Sequence, residues 1–131
     1  MQHFPDQRKA VPGCPFCSDE GAVLANGLAF ALPDRYPVTP GHLLVIPYRH
    51  VADYFHTTLF ERRAMLALLD LARRMLDERH APQGYNIGVN VGEAAGQTVM
   101  HVHLHLIPRY AGDVANPRGG VRGVIPAKQS Y

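Results

Sequence analysis

Polar and apolar residues alternate with a period of two through Met100-His101-Val102-His103-Leu104-His105-Leu106, the signature of a strand that packs one face and shows the other. Read as a strand from Gln97 to Ile107, it sets three imidazoles on one side and Met100, Val102, Leu104 and Leu106 on the other. Upstream, Ala22-Val23-Leu24-Ala25 and Leu28-Ala29-Phe30-Ala31-Leu32 flank Asn26-Gly27, which predicts a hairpin whose tight turn takes up positive φ angles. A proline-punctuated loop, Pro33 to Gly41, leads to a further strand, His42-Leu43-Leu44-Val45-Ile46, stopped by Pro47. The period then changes. Thr58 and Glu61 form a capping box, and Leu59, Met65, Leu66, Leu69, Ala72 and Leu76 trace an apolar stripe interrupted at Arg62, which predicts one helix from about Leu59 to His80. Ala81-Pro82-Gln83-Gly84 ends it, Tyr85 to Val91 reads as a strand, and Gly92-Glu93-Ala94-Ala95-Gly96 as a glycine-rich turn.

The outer segments show no such periodicity. Pro5, Pro12 and Pro15 make the first twenty residues irregular, and the stretch from Pro108 to Tyr131 is a glycine- and proline-bearing tail expected to gain order by docking on the rest. At 131 residues and 47% hydrophobic content the chain fits one domain with one core. A net charge of +2 is too mild for a nucleic-acid groove and better suits small anionic ligands. No apolar run approaches the length of a membrane span, and Met1-Gln2-His3-Phe4-Pro5-Asp6 lacks the basic-then-apolar order of a signal peptide, so a cytoplasmic location and no membrane partner are expected.

Three imidazoles in register point to metal binding or group transfer, because the neutral ring is both nucleophile and proton carrier near neutral pH. Cys14-Pro15-Phe16-Cys17 carries the only cysteines, and in a reducing compartment that spacing reads as a metal site or a redox pair before a structural disulfide. His3 and His56 read as surface residues, and His80 as a favourable charge at a helix C-terminus.

The run Gly92-Glu93-Ala94-Ala95-Gly96-Gln97-Thr98-Val99-Met100-His101-Val102-His103-Leu104-His105-Leu106-Ile107-Pro108-Arg109 resembles the signature of the histidine-triad (HIT) family of nucleotide hydrolases and transferases. The likeness extends through Phe30-Ala31-Leu32 and Pro40 to Pro47, covering a core of about residues 14–113 within a single domain of residues 1–131, with residues 114–131 as a tail beyond it. The resemblance implies an α+β fold, a twisted antiparallel sheet with one long helix packed on it, commonly paired as a homodimer.

It also implies roles. His103 would attack the α-phosphorus and form a nucleotidyl-imidazole intermediate, a task that suits a ring whose other nitrogen donates to a backbone carbonyl. His105 would donate a hydrogen bond to the phosphate, Gln97 and Asn90 would contact phosphate oxygens or the leaving group, and Thr98 would lie on the leaving side. The alternative for Gln97 and Thr98 is capping of the turn that precedes the strand. Asp34 matches a position that grips ribose hydroxyls, with an Asx turn after Pro33 as its alternative, and Phe30, Leu32 and His42 either line the nucleobase slot or belong to the core.

Cys14 and Cys17 resemble the paired cysteines of zinc-bearing relatives, in which His50 and His101 would complete a closed structural Cys₂His₂ site. Magnesium is expected only as a companion of a polyphosphate substrate. The implied reaction is cleavage of a dinucleoside polyphosphate such as diadenosine tetraphosphate, with adenosine phosphoramidate hydrolysis or nucleotidyl transfer to phosphate as alternatives within catalysis. A nucleotide-binding signalling module, with the tail as a partner surface, is the alternative outside it. Arg118, Arg122 and Lys128 either reach toward a polyphosphate or form a solvated arm.

Overall fold

The computed structural model describes residues 10–131, so His3 lies outside the described residues. Five strands, β1 (Leu24–Ala25), β2 (Ala29–Pro33), β3 (Leu43–Pro47), β4 (Gly84–Gly88) and β5 (Leu104–Arg109), form one antiparallel sheet in the order β1-β2-β3-β5-β4. β3 is buried at every position, as its unbroken apolar run requires of a strand covered on both faces. One helix, α1 (Leu59–His80), covers one face of the sheet: Met65, Leu68, Leu69, Ala72 and Leu76 pack on Ala29, Ala31, Leu43, Val45, Leu104 and Leu106. The opposite face holds a smaller cluster of Phe30, Leu44 and Ile46, against which Phe16, Leu32 and Tyr48 rest. Leu32 pairs with Leu44 and Leu44 with His105, so these three lie in line on the face away from α1.

The helix matches its expected bounds because both ends are chemically fixed. Thr58 Oγ1 accepts from the Glu61 N–H and Glu61 Oε1 accepts from the Thr58 N–H, closing the capping box. At the other end Ala81 turns left-handed (φ 47°) and Pro82 cannot continue the helix. The buried stripe differs from the expected one. Leu59 and Leu66 face solvent and Leu68 is fully buried, because the sheet-facing sector is centred on Met65, Leu68, Ala72 and Leu76. Arg62 interrupts the stripe by lying over the Tyr54 ring and donating to Thr57 Oγ1.

Three further expectations are corrected. Neither Asn26 nor Gly27 has a positive φ; Asn26 Oδ1 instead accepts from the Leu28 and Ala29 N–H groups, so a side-chain-closed turn replaces the predicted one. The histidine strand begins only at Leu104, because residues 99–101 form a bend, and Met100 is 40% exposed rather than packed. β4 ends at Gly88 rather than at Val91. The tail folds into two 3₁₀ turns, Gly120–Val124 and Pro126–Lys128, with Arg118 and Arg122 both over the Tyr131 ring at 4.9 and 4.8 Å. Those two guanidiniums are thus engaged within the tail. No described helix is long and apolar enough to cross a membrane.

Arg49 joins the start of α1 to the segment after β3. Its Nε and Nη2 donate to Glu61 Oε2 and Oε1 at 2.9 and 2.8 Å, and Glu61 is 4% exposed. Burial works against the Glu61 charge, but hydrogen bonds from Arg49 and Thr58 prevail and hold the carboxyl below its ordinary range. A carboxylate depressed on folding stabilises the protein above its unfolded pKa, about 4.3, and that stabilisation is lost as pH falls through the folded value. Glu61→Gln should therefore cost about 2–4 kcal/mol at pH 7 and flatten the decline in stability between pH 5 and 3. Urea denaturation at several pH values measures this; equal stability of variant and parent at pH 7 would contradict it.

Candidate functional site

His103, just before β5, and His105, near its start, lie on the sheet face opposite α1, and both remain half-buried. Because the chain bends before β5, the carbonyl of His101 is left to accept a hydrogen bond from His103 Nδ1 at 2.9 Å. That bond assigns the proton to Nδ1, so the Nε2 lone pair is the free one.

His105 is fixed by a second chain of donors. The Val38 N–H points at His42 Nδ1 (3.0 Å), so the neutral His42 ring carries its proton on Nε2 and donates it to His105 Nδ1 (2.9 Å). His105 is left with its proton on Nε2, a donor beside the His103 ring, whose centroid lies 5.2 Å away. Burial foremost, and then the neighbouring His103 and His42, push the His105 pKa down to about 4, so the ring stays neutral at pH 7. Burial likewise lowers His42, against the opposing pull of Asp34. A neutral donor on His105 and the free Nε2 of His103 thus stand side by side.

The first histidine of the row turns elsewhere. His101 is fully buried and its Nε2–H donates to the Pro47 carbonyl at 2.8 Å, leaving Nδ1 as a lone pair that faces two thiols. Burial leads the causes that lower its pKa. Cys14 Sγ lies 3.4 Å and Cys17 Sγ 3.6 Å from His101 Nδ1, and Cys17 Sγ lies 3.2 Å from His50 Nδ1. The four ligand atoms of Cys14, Cys17, His50 and His101 all fall within 4.8 Å of one another. Sulfur and nitrogen ligands around tetrahedral zinc stand about 3.6 Å apart, so the donor set, its spacing and the outer hydrogen bond on His101 fit such an ion.

A second cluster, Asp34, His42 and His105, has similar spacing but the wrong proton. With the Val38 N–H aimed at Nδ1, His42 Nε2 bears hydrogen and has no lone pair to offer a cation. Neither cluster is the all-oxygen set that magnesium takes, so no protein magnesium site is supported among the described residues.

The remaining predicted residues divide. Asp34 Oδ1 accepts from the Tyr36 N–H in an Asx turn, while Oδ2 lies 3.4 Å from His42 Nε2, so turn and site share one carboxylate. Gln97 is buried and its amide is spent: Nε2 donates to the carbonyls of Ala52 and Val99, and Oε1 accepts from the Gly92 N–H. That is the turn-capping alternative, and it holds the loop before the triad rather than presenting an amide outward. Thr98 is exposed and Asn90 half-buried. Phe30 is a core residue beneath Tyr48, Leu32 is half-buried beside it, and His42 is buried behind His105. Sequence reasoning missed Phe16, whose ring sits 4.8 Å from that of His103; its place between the two cysteines was the available signal.

Comparison with known proteins identifies the family. AP-4-A phosphorylase of Mycobacterium tuberculosis is 38% identical over 112 residues, covering 79% of this chain and 57% of that protein. The bis(5'-adenosyl)-triphosphatase of Saccharomyces cerevisiae is 34% identical over 96 residues, covering 72% of this chain and 47% of its own length. The chain thus spans about half the length of these curated relatives. A solved zinc-bound histidine triad family protein from Mycobacterium smegmatis superposes with a TM-score of 0.66 at 36% identity, covering 72% of this chain and 69% of that one. The model of the HIT domain matches residues 17–112, which include both cysteine-facing histidines, His42 and the whole triad, and on these grounds the chain belongs to the HIT domain family.

Proposed function

We propose that the protein cleaves a dinucleoside polyphosphate at its α-phosphorus through a nucleotidyl intermediate on His103. The observation that carries this reading is the Nδ1–H bond to the His101 carbonyl, which leaves Nε2 as the nucleophile. In the first step the Nε2 lone pair bonds to the α-phosphorus, and the bond to the bridging oxygen breaks, its electron pair leaving with the polyphosphate. The His105 Nε2–H would steady charge on the phosphate oxygens, and Asp34 would accept from ribose hydroxyls, a reading supported by the proton order that His42 imposes on His105. The family likeness assigns Thr98 and Asn90 as contacts for the phosphates or the departing group, and Leu32 with Phe30 beneath it would supply an apolar wall for a base. In the second step an acceptor oxygen attacks the same phosphorus and returns the ring to its neutral form.

Water as acceptor gives a hydrolase; inorganic phosphate gives a phosphorylase. The likeness to AP-4-A phosphorylase favours the second acceptor as an alternative. With diadenosine tetraphosphate, a hydrolase yields AMP and ATP whether or not phosphate is added, whereas a phosphorylase yields ADP and ATP only with phosphate. His103→Ala should lower kcat about 10⁴-fold or more with either acceptor. Undiminished turnover in that variant would remove the mechanism.

The Cys14, Cys17, His50 and His101 set is proposed to hold structural zinc, which when bound would tie the N-terminal loop to the triad segment and leave no open position for chemistry. Metal analysis should return about one zinc per chain, and Cys17→Ser should lower both zinc content and Tm. Full stability in metal-free protein would count against it.

The cytoplasm suits a reduced thiol pair and a nucleotide substrate. A homodimer is also proposed: β4 ends the sheet, Ile87 on it is 52% exposed, and Leu66 and Leu71 on α1 face outward. Sedimentation should give twice the 14.5 kDa chain mass at micromolar concentration; a single-chain mass there would exclude the dimer.

A further inference from the structure

One hydrogen bond selects the nitrogen of His103 that carries the proton, but an imidazole held by a single N–H···O bond can swing out of it and, once released, take either tautomer. Two rings abut His103 and limit that swing. His105 is one, held by His42; Phe16 is the other, with its centroid 4.8 Å from that of His103 and the planes at 60°. Phe16 also meets the His101 ring edge-on at 6.3 Å and 86°. It therefore touches both the proposed nucleophile and the residue whose carbonyl sets that nucleophile's tautomer.

What holds Phe16 is the loop itself. The hydrogen bonds found within residues 11–18 are local: Cys14 N–H to the Val11 carbonyl, Cys17 N–H to the Cys14 carbonyl, and Val11 N–H to Cys17 Sγ. Among the described residues its polar links to the segments after β3 and before β5 run through the thiols, Cys14 to His101 and Cys17 to His50 and His101. The Phe16 ring adds apolar contact with the Phe30, Leu44 and Ile46 cluster. With a cysteine on each side, Phe16 is pinned wherever the two thiols are pinned.

We propose that Phe16 is a positioning residue for His103, set by the flanking thiols, so that closure of the Cys14, Cys17, His50 and His101 set orients the attacking ring. The metal centre then acts on the reaction through this chain's own packing and the His101 carbonyl, without touching substrate. The inference rests on the reading of His103 as nucleophile. It is tested by a readout that needs no substrate, so failure of one is distinguishable from failure of the other.

The readout is the ring-nitrogen ¹⁵N spectrum of His103 in the full chain, recorded zinc-loaded and after chelation. The zinc-loaded parent should show one tautomer, with hydrogen on Nδ1. Phe16→Ala should keep its zinc and an unaltered cobalt(II) absorption spectrum after substitution, yet show a mixed His103 tautomer. Its kcat should fall about 10-fold or more while KM moves less than about 3-fold. Phe16→Tyr should restore the parent pattern, and Phe16→Leu, which keeps apolar packing without the ring edge, should behave like Phe16→Ala. Chelation of the parent should reproduce the mixed tautomer, and chelation of Phe16→Ala should add little. A single tautomer in zinc-loaded Phe16→Ala and Phe16→Leu, or an unchanged His103 spectrum on chelating the parent, would overturn the proposal.

Discussion

The hydrogen bond from His103 Nδ1 to the carbonyl of His101 organises the site, and it depends on a break in regular structure. In a continuous strand that carbonyl would belong to the ladder with a neighbouring strand. Because residues 99–101 bend and β5 starts only at Leu104, the carbonyl is left for a side chain two residues on. The same bend sends the His101 ring inward toward the thiols while His103 and His105 stay at the surface of the sheet. Three histidines at alternate positions thereby take three environments: a buried ring facing two thiols, a half-open lone pair and a neutral donor.

Those environments are set from different parts of the chain. His105 receives its proton pattern through His42 from the backbone of Val38, in the loop between β2 and β3. His101 is fixed by Pro47 at the end of β3 and by a loop that precedes the sheet. Gln97 anchors the turn ahead of the triad by bridging Gly92, Ala52 and Val99. Two of these partners bracket β3, with His42 just before it and Pro47 at its end, so the fully buried central strand supports the histidine row as well as the fold.

The sequence displayed the features that depend on local spacing. The capping box and Pro82 delimit α1, Val102, Leu104 and Leu106 are buried as alternation requires, and the paired cysteines meet His50 and His101. Features set by tertiary context were not readable. Leu68 rather than Leu66 is buried because the sheet, not the helix, chooses the facing sector. Asn26 closes its turn by side-chain acceptance because its amide also reaches the Ala64 carbonyl on α1, a contact no local rule contains. His42 and Gln97 each carried two readings by position, substrate contact or support, and which partners their polar atoms meet could not be read locally because those partners are distant in sequence. Phe16 passed unnoticed since an aromatic between two cysteines carries no chemistry until the fold brings it against His103.

The central claim is that His103 attacks through the ring nitrogen its backbone hydrogen bond leaves bare. Rapid acid-free quenching of the enzyme during turnover of diadenosine tetraphosphate, followed by peptide mass spectrometry, tests it most directly. The account predicts an adenylyl group on the peptide containing His103, attached at Nε2. An adenylyl group on another side chain, or turnover with no protein-bound adenylyl group at any time, would contradict it.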